Sequence, residues 1–273
     1  MSVKISELPV LAPEDVAAGD VVAIVDSSEG VTKQVDLINA VSSFQANRNA
    51  IINGNFAVNQ RGVSGTVTLA AGDYGHDRWK AGASGCTYTF ATVENVTTLT
   101  ITAGSLVQVI EGINLFTGTY ILSWTGTAQG KIGAGSFGAS GITESATGGT
   151  NLSIEFNTGT VAQVQLEPGS VATPFERRTV GTELALCQRY YCVVEAHGRF
   201  HADAGARTFF YPVFWPQEMR TDPTTSSSGG LTGNATSIAI EAGSPTSARL
   251  VFTSVSTGST LVTERLVAAD AEL

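Results

Sequence analysis

The sequence predicts an all-β protein, and three observations lead to that prediction. Glycine is abundant, with 30 residues among 273, and charged residues account for only 14%. Apolar residues recur at every second position in short runs, and turns rich in Gly, Asn and Thr separate these runs. Alternation with a period of two is the pattern of strands with one buried face. Many short strands joined by Gly-rich turns are typical of β-sandwiches, and the length suffices for two domains or one large one.

The first 50 residues predict a strand pair followed by a helix. The apolar run Val21–Asp26 is predicted to be a strand, and Val31–Val35 returns beside it after a short turn. Asp36 is placed to cap a helix that extends to residue 50. One stripe of this helix, with spacings of three and four, comprises Leu37, Ala40, Val41, Phe44 and Arg48. The helix either packs on its own domain or forms a short parallel bundle between subunits.

Residues 53–178 predict a β-sandwich. Its clearest strands, in which apolar residues alternate or run continuously between turn residues, are Val96–Thr102, Leu106–Glu111, Tyr120–Thr127, Asn151–Asn157 and Val161–Leu166. Tyr88 and Phe90 indicate one more strand beside Cys86. The segment Ala128–Thr150 is rich in Gly, Ser and Ala. It is predicted to be a loop, or an edge that another backbone can approach closely.

Residues 179–273 predict a connector helix and a smaller β domain. Pro168 ends the preceding strand with turn chemistry, and Pro174 keeps the segment before the helix extended. Thr182 is placed to cap the helix, whose apolar face comprises Leu184, Cys187 and Tyr191. The strands predicted after it are Phe209–Trp215, Thr236–Glu241, Ala248–Val255 and Thr260–Val267. The polar, Gly- and Ser-rich segment Thr221–Asn234 is predicted to be a loop.

Charge and composition restrict the partners of the chain. The net charge of −9 argues against general nucleic-acid binding, because neutralising phosphates requires a basic stripe. No apolar run approaches the ~18 residues that cross a bilayer, and the N-terminus lacks the apolar core of a signal peptide. We therefore expect synthesis in the cytoplasm and no membrane insertion. The low charged fraction, with a mean hydropathy of +0.14, favours burial of surface between subunits.

The cysteines and histidines do not form a recognisable metal site. The three cysteines have no metal-binding spacing, so we expect free, buried thiols. His197 and His201 are four residues apart, which would place both on one face of a helix. The surrounding pattern favours a strand or loop instead, where they would stand about 13 Å apart. The sequence therefore predicts no metal and no cofactor.

The densest polar cluster comprises Asp73, His76, Asp77 and Arg78, directly before Trp79. Two carboxylates and an imidazole could hold a metal ion, but their spacing fits no standard ligand pattern. Three interpretations remain open for the cluster. It is a structural ion pair or turn, a sugar contact through Asp77 and Trp79, or a metal site.

An aromatic cluster falls in the predicted C-terminal domain. It comprises Phe209, Phe210, Tyr211, Phe214 and Trp215. On a strand, Phe209, Tyr211 and Val213 would share one face. Aromatic side chains at such density either fill a core or subunit interface, or form an exposed surface for sugar. The same choice applies to Trp79 and Trp124. The candidates for ligand contact are therefore Asp77, Trp79, Trp124, Tyr211 and Trp215.

The sequence contains no constellation that predicts catalysis. A glycosidase needs two carboxylates facing each other across a cleft, and the acids here are scattered. There is no G-x-S-x-G motif, no Gly-rich phosphate loop that opens a helix, and no Cys–His pair with an orienting acid. We therefore expect a protein without enzymatic activity or catalytic residues.

Three blocks of the sequence, in order between residues 51 and 224, carry a resemblance to a known family. Residues 51–79 contain IINGNFAVNQRG and then GDYGHDRW, and residues 161–191 contain QLEPGSVATPFERR and then ELALCQRYY. Residues 214–224 read FWPQEMRTDPT. Together these blocks resemble tail-fibre and other appendage proteins of tailed bacteriophages. The N-terminal ISELP, followed by KQV further on, is similar to the virion-attachment ends of phage fibres.

The resemblance implies a fold and a set of partners. The domain at 53–178 would be a jelly-roll-like β-sandwich similar to carbohydrate-binding modules. The protein would be a homotrimer in the virion, attached to other virion proteins through residues 1–50. Residues 1–35 would form the attachment segment and 36–52 a helical neck, with trimer contacts through Leu37, Val41 and Phe44. The distal β domains would contact host surface glycans.

Two alternatives to a tail fibre or receptor-binding protein stay open at this point. A head fibre, collar or decoration protein would stabilise the particle without recognising a receptor. A hydrolase of surface polysaccharide belongs to a different class and would require catalytic carboxylates.

Overall fold

The fold is known from a computed structural model that describes residues 21–26, 31–36, 47–203 and 207–273. These residues form mostly β-strands arranged in several sheets, which confirms the predicted all-β class. Strands β1 (Val21–Asp26) and β2 (Val31–Asp36) form an antiparallel pair in which Val21 lies opposite Asp36. The predicted pairing of these two strands is therefore present.

The predicted helix over 36–50, including the proposed trimer contacts Leu37, Val41 and Phe44, lies largely outside the described residues. Its described ends are not helical, so the predicted bounds are wrong there. Asp36 is the last residue of β2, and residues 47–50 have no regular structure. Asn47 has a φ of 62°, which belongs to the left-handed region and cannot continue an α-helix.

The predicted sandwich comprises strands β3 to β10 and a single 3-10 turn at Gly112–Asn114. The strands are β3 (Val67–Leu69), β4 (Lys80–Val93), β5 (Val96–Ile110), β6 (Gly118–Thr125), β7 (Gly130–Ile132), β8 (Ile142–Ala146), β9 (Leu152–Phe156) and β10 (Gly159–Pro168). Their hydrogen-bonded order is β3-β4-β5-β10-β6-β8, and β9 pairs with both β5 and β7. All of these pairings are antiparallel.

Strand β10 connects the two parts of this sheet arrangement. Its first residues, Gly159–Val161, pair with β5, and the rest of the strand pairs with β6. The register shifts between Ala162 and Gln165, and Gln163 in this bulge has a φ of 50°. Bulges of this kind bend a strand. One strand can therefore pair with β5 at its start and with β6 further along.

Two predicted boundaries in the sandwich are wrong. Val96–Thr102 and Leu106–Glu111 were expected to be separate strands, but β5 runs through both. Gly104, with a φ of 71°, lies in a bulge where Gly82–Gly85 of β4 faces a single residue of β5. The glycine therefore bends the strand without ending it. The segment Ala128–Thr150, predicted to be a loop or an edge, contains β7 and β8, and both are edge strands.

The core of the sandwich consists mainly of aromatic and branched side chains. Trp79, Tyr88, Phe156 and Leu122 are fully buried, and the Trp124 ring packs against Phe156 with ring centroids 5.1 Å apart. Other buried members of this cluster include Ile51, Phe56, Leu99, Ile101, Leu106, Ile154, Val164 and Leu166. Full burial of each such side chain stabilises the fold by roughly 1.5–3 kcal/mol relative to exposure.

The connector leads into helix α1 (Val180–Gln188), and two details of its prediction are wrong. Thr179, with an extended backbone, is the N-cap, because its side chain accepts a hydrogen bond from the Thr182 backbone N–H. Thr182 therefore lies in the first turn of the helix. Tyr191 begins the next strand and does not belong to the helix, while Cys187 is buried as expected.

The C-terminal domain comprises strands β11 (Tyr191–Ala202), β12 (Thr208–Phe214), β13 (Thr224–Gly233), β14 (Ala235–Ser244), β15 (Ser247–Ser254) and β16 (Gly258–Asp270). They form two three-stranded sheets, with orders β11-β16-β13 and β12-β15-β14. The core between them includes Cys192, Val213, Trp215, Met219 and Leu250.

The prediction of a loop over Thr221–Asn234 is wrong, because this segment contains the edge strand β13. The segment is polar and rich in Ser and Gly, so no alternating apolar pattern marks it. It pairs along β16 through its backbone, with Thr225 opposite Ala269. An edge strand can be held by backbone hydrogen bonds without contributing apolar side chains to the core.

Candidate functional site

Asp77 and Trp79, two of the predicted ligand-contact residues, are buried inside the sandwich with 0% exposure. The Asp77 carboxylate accepts hydrogen bonds from the backbone N and the side-chain Nε2 of Gln60, both at 2.6 Å. Burial raises the pKa of Asp77, although these hydrogen bonds act against the shift. The Trp79 indole donates to the carbonyl oxygen of Asn53 at 3.0 Å. Their burial supports the structural interpretation of the cluster.

The other members of that cluster have separate partners. His76 is buried, and its Nδ1 lies 3.0 Å from the Tyr88 hydroxyl. Burial lowers the pKa of His76 to about 4. Arg78 forms an ion pair with Glu272, and Asp73 is exposed. Within the described residues, no group of three or more His, Cys, Asp or Glu side chains is placed to hold a metal ion.

The remaining ligand candidates point toward cores. Trp124 is 7% exposed, and its indole donates to the Ala128 carbonyl oxygen at 3.0 Å. Trp215 is 6% exposed and donates to Ser244 O at 3.3 Å. Tyr211 is half-buried against the core of the C-terminal domain. The indole nitrogens are therefore used by the fold, and neither indole ring offers an open face.

Sequence reasoning chose inward-facing aromatics and missed two outward-facing ones on the same strand. Phe210 and Phe214 of β12 are 54% and 70% exposed. The alternation of the strand was the available signal, because Tyr211 and Val213 were expected to share the opposite face. That expected sharing is confirmed, since both side chains pack in the domain core.

The two histidines of β11 lie on a strand, as expected. His197 and His201 occupy alternate positions and are both exposed. His197 Nε2 is 3.1 Å from a carboxylate oxygen of Glu195, and His201 Nδ1 is 3.2 Å from the Ser259 hydroxyl.

A dense polar network joins the sandwich to the C-terminal domain. The Glu111 carboxylate at the end of β5 accepts hydrogen bonds from Tyr190 Oη at 2.9 Å and Arg189 Nη2 at 3.2 Å. Burial is the main cause that raises the pKa of Tyr190, to about 12. Arg220 also lies within reach of this carboxylate, with its Nε 3.9 Å from Oε1. The sandwich thus contacts two separate segments of the following domain.

The last residue of β16 and the residues after it continue this network. Arg61 Nη2 lies 3.2 Å from Asp270 Oδ2, and the Arg61 guanidinium carbon is 3.7 Å from the centroid of the Tyr191 ring. Tyr74 and Lys80 both donate to the carbonyl oxygen of Leu273. The side chains of Arg61, Tyr74 and Lys80 therefore hold residues 270–273 against the sandwich.

A surface depression with a volume of about 620 Å³ is lined by residues of the sandwich together with Arg178 and Leu186 of the connector and α1. Its polar wall is internally paired, since Arg48 Nε is 3.2 Å from Glu167 and Arg178 donates to backbone oxygens of Asn49 and Ile51. Exposed apolar side chains stand at its rim, and the most exposed are Ile113 at 82% and Phe116 at 81%.

All three cysteines are free and buried, which confirms that expectation. Burial raises the pKa of Cys86 to about 11 and that of Cys192 to about 12. Burial also raises the pKa of Cys187 well above its ordinary value. None of these thiols is therefore poised as a nucleophile near neutral pH.

Comparison with known proteins gives no relative of this chain. No protein-family model matches it, and neither the curated proteins nor the solved structures contain a match. In the described part of the chain, no helix has both the length and the apolar character needed to span a bilayer.

Proposed function

We propose that this protein is a structural component of a tailed-phage particle, a tail fibre or receptor-binding appendage. In this proposal it attaches to other virion proteins through residues 1–50. Its β domains, including a jelly-roll-like sandwich, project from the particle and contact host surface glycans. The protein acts by binding, and no chemical step is assigned to it.

The observation that carries the proposal is the placement of the three blocks that resemble phage appendage proteins. Residues of the first and second blocks contact each other, since Val164 N donates to Gly54 O at 2.9 Å and Asn53 N donates to Glu183 Oε1 at 2.5 Å. The second and third blocks also meet, where Arg220 N donates to Arg189 O at 2.8 Å.

The three blocks meet at one place in the fold. Segments that recur together in a family are expected to meet where they fix one structural feature. Here that feature is the junction between the sandwich and the C-terminal domain. Arg78 in the DRW motif and Tyr190 in the QRYY motif illustrate it, because the guanidinium carbon lies 3.5 Å from the ring centroid.

We further propose a homotrimer whose neck contacts are Leu37, Val41 and Phe44. A low charged fraction is consistent with surface covered by sister subunits. Three linked copies would also make weak glycan contacts effective, since linkage raises the effective concentration of the second and third contact. Native mass measurement of the purified protein tests this part, and a stable monomer at low concentration would contradict it.

Immunogold labelling of intact phage particles tests the main proposal. Antibody against the C-terminal domain, residues 191–273, is expected to label the tail, and the same antibody is expected to reduce adsorption to host cells. Labelling of heads or collars with unchanged adsorption would instead favour a decoration protein. Absence of the protein from particles would reject both.

A surface-polysaccharide hydrolase is the proposal's rival from another class. Incubation of the protein with purified host polysaccharide and a reducing-end assay separates the two. Binding without release of reducing ends is the outcome expected for an appendage. Steady release over time would replace the proposal with an enzymatic function.

A further inference from the structure

The outer face of the sheet β12-β15-β14 carries an ordered set of exposed side chains. Phe210, Pro212 and Phe214 point outward from β12 at successive alternate positions. The register places Pro212 opposite Arg249 of β15, and Arg249 opposite Glu241 of β14. An apolar column on one strand therefore stands directly beside a charged pair on the next two.

The charged pair is fixed in place by its neighbours. Arg249 Nε donates to Glu241 Oε2 at 2.6 Å, and the guanidinium carbon lies 4.8 Å from the centroid of the Phe210 ring. The side chains are still 55% and 46% exposed. Both the remaining donors of Arg249 and the carboxylate of Glu241 can therefore be reached from solvent.

A depression of about 410 Å³ is lined both by the apolar column of β12 and by the Arg249–Glu241 pair. Its walls include Pro212, Phe214, Glu241, Gly243, Ser244 and Arg249. This volume falls within the range of roughly 300–1,000 Å³ that small-molecule sites occupy.

The depression is formed by a bulge between β14 and β15, and a backbone hydrogen bond from Trp215 fixes the turn beside it. The register between β14 and β15 shifts between Glu241 and Ser244, and a Cβ atom added to Gly243 would lie 1.7 Å from the Ser247 carbonyl oxygen. Trp215, directly after β12, donates through its backbone N to Thr246 O at 3.0 Å. Only glycine fits the close approach at 243, so this wall has a defined shape before any ligand arrives.

We infer that this surface, defined by Phe210, Pro212, Phe214, Glu241, Ser244 and Arg249, binds a neutral saccharide. A pyranose ring has an apolar C–H face and polar hydroxyls at its edge. The exposed ring of Phe214 can pack against the C–H face of the sugar. The donors of Arg249 and the acceptor of Glu241 can form hydrogen bonds with its hydroxyls. The inference rests on the proposed contact with glycans and assigns that contact to specific residues.

Charge favours a neutral sugar over an acidic one. Arg249 and Glu241 neutralise each other, so the surface offers no uncompensated positive charge. An acidic sugar would have to compete with Glu241 for the Arg249 guanidinium, and this would break the hydrogen bond between the two side chains. The net charge of −9 on the chain adds long-range repulsion against an anionic polysaccharide.

Saturation-transfer NMR on the full-length protein tests the assignment. The probes are the methyl glycosides of glucose, galactose, mannose and N-acetylglucosamine, with methyl glucuronide as the acidic comparison. We expect signal transfer to the C–H protons of at least one neutral probe. The Phe214→Ala variant is expected to bind that probe about tenfold more weakly, the loss expected when most of an apolar contact is removed.

Three variants make the test specific. Phe214→Tyr keeps the ring and is expected to bind like the original protein. Phe116→Ala removes an even more exposed phenylalanine, 81% exposed on the sandwich, and is expected to leave binding unchanged. Arg249→Gln removes the cation and is expected to weaken binding independently of Phe214. If Phe214→Ala fails to fold, the weaker binding expected of Arg249→Gln tests the assignment instead.

Several outcomes would overturn the assignment. These are equal binding by Phe214→Ala and the original protein, preference for methyl glucuronide, or no transfer to any neutral probe. A fall in native mass on Phe214→Ala would show that the surface contacts a second copy, and this would also overturn it. Adsorption to host cells separates this failure from failure of the proposed function. If the original protein and Phe214→Ala adsorb equally, the protein remains an adhesin with its site elsewhere.

Discussion

Arg78 and Glu272 form an ion pair although 194 positions separate them in the sequence. Their side chains are only 1% and 3% exposed. Arg78 also donates through Nη2 to the Val109 carbonyl oxygen at 2.6 Å, and its guanidinium lies over the Tyr190 ring. A single buried cation thus contacts the sandwich, the residues after α1 and the residues after β16. The sandwich and the C-terminal domain are joined at this point.

Removing the Glu272 carboxylate is expected to show how strongly the Arg78–Glu272 ion pair couples the sandwich to the C-terminal domain. Glu272→Ala leaves Arg78 charged and buried without its carboxylate, and loss of one partner of a buried pair costs about 3–5 kcal/mol. We therefore expect the free energy of unfolding in urea to fall by about that amount. The matched control is Glu155→Ala, which breaks the pair with Lys131 where the side chains are 26% and 23% exposed. That control should cost less than about 1 kcal/mol, and equal losses in the two variants would contradict the argument.

Asp77 is expected to stabilise the fold and not to contact ligand. Asp77→Ala removes the acceptor for the backbone N–H of Gln60 and for one hydrogen bond of its side-chain amide, whose Nε2 keeps only its bond to the Tyr191 carbonyl oxygen at 2.8 Å. We expect a loss of about 3 kcal/mol in the free energy of unfolding. Asp73→Ala, four residues earlier and exposed, should change it by less than about 0.5 kcal/mol. Asp77→Ala with unchanged melting temperature and no sugar binding would restore the ligand interpretation.

The strands that the sequence predicted correctly are those whose side chains alternate. Strands β6, β9 and β10 were found close to their true bounds, because apolar residues at every second position report burial on one face. Strand β13 has no such pattern, since pairing with β16 depends on backbone groups that every residue carries. Around Gly104 the sequence instead predicted a break between two strands, where the structure has the single strand β5. A glycine at positive φ ends some strands and bends others, and only the partner strand decides which.

The candidate site shows where local patterns stop being informative. Trp79 and Trp215 were chosen by residue type, yet their indole N–H groups reach Asn53 and Ser244, which lie 26 and 29 positions away. Such partners depend on tertiary contacts that spacing does not encode. The alternation of β12 could have indicated the outward position of Phe214, but this residue was not among the ligand candidates predicted from the sequence. Its proximity to Arg249 and Glu241 could not be predicted in this way, because it depends on the order of strands in the sheet.

The buried imidazole of His76 is expected to make stability depend on pH. Burial lowers its pKa in the folded protein to about 4, below the ordinary value of 6.5. The unfolded chain therefore binds the proton more readily, so stability is fully present above about pH 6.5 and falls as the pH drops toward 4. The full difference corresponds to about 3 kcal/mol. Urea unfolding at pH 7 and pH 5 should show a loss that is smaller in His76→Gln, and an identical loss in both proteins would exclude this origin.

Two glycines with similar positive φ test whether a close contact at the Cβ position or the φ angle alone limits substitution by alanine. Gly104 and Gly62 have φ values of 71° and 65°, so alanine at either position is strained by about 1–2 kcal/mol. A Cβ at Gly104 would also lie 2.0 Å from the Gly85 carbonyl oxygen, whereas nothing lies within 4 Å of a Cβ at Gly62. Gly104→Ala must therefore separate β4 from β5 at the bulge, and we expect a total loss above about 3 kcal/mol. Gly62→Ala should show the strain alone. Equal losses in urea unfolding would mean that the two strands can move apart at little cost, and that the bulge does not fix their register.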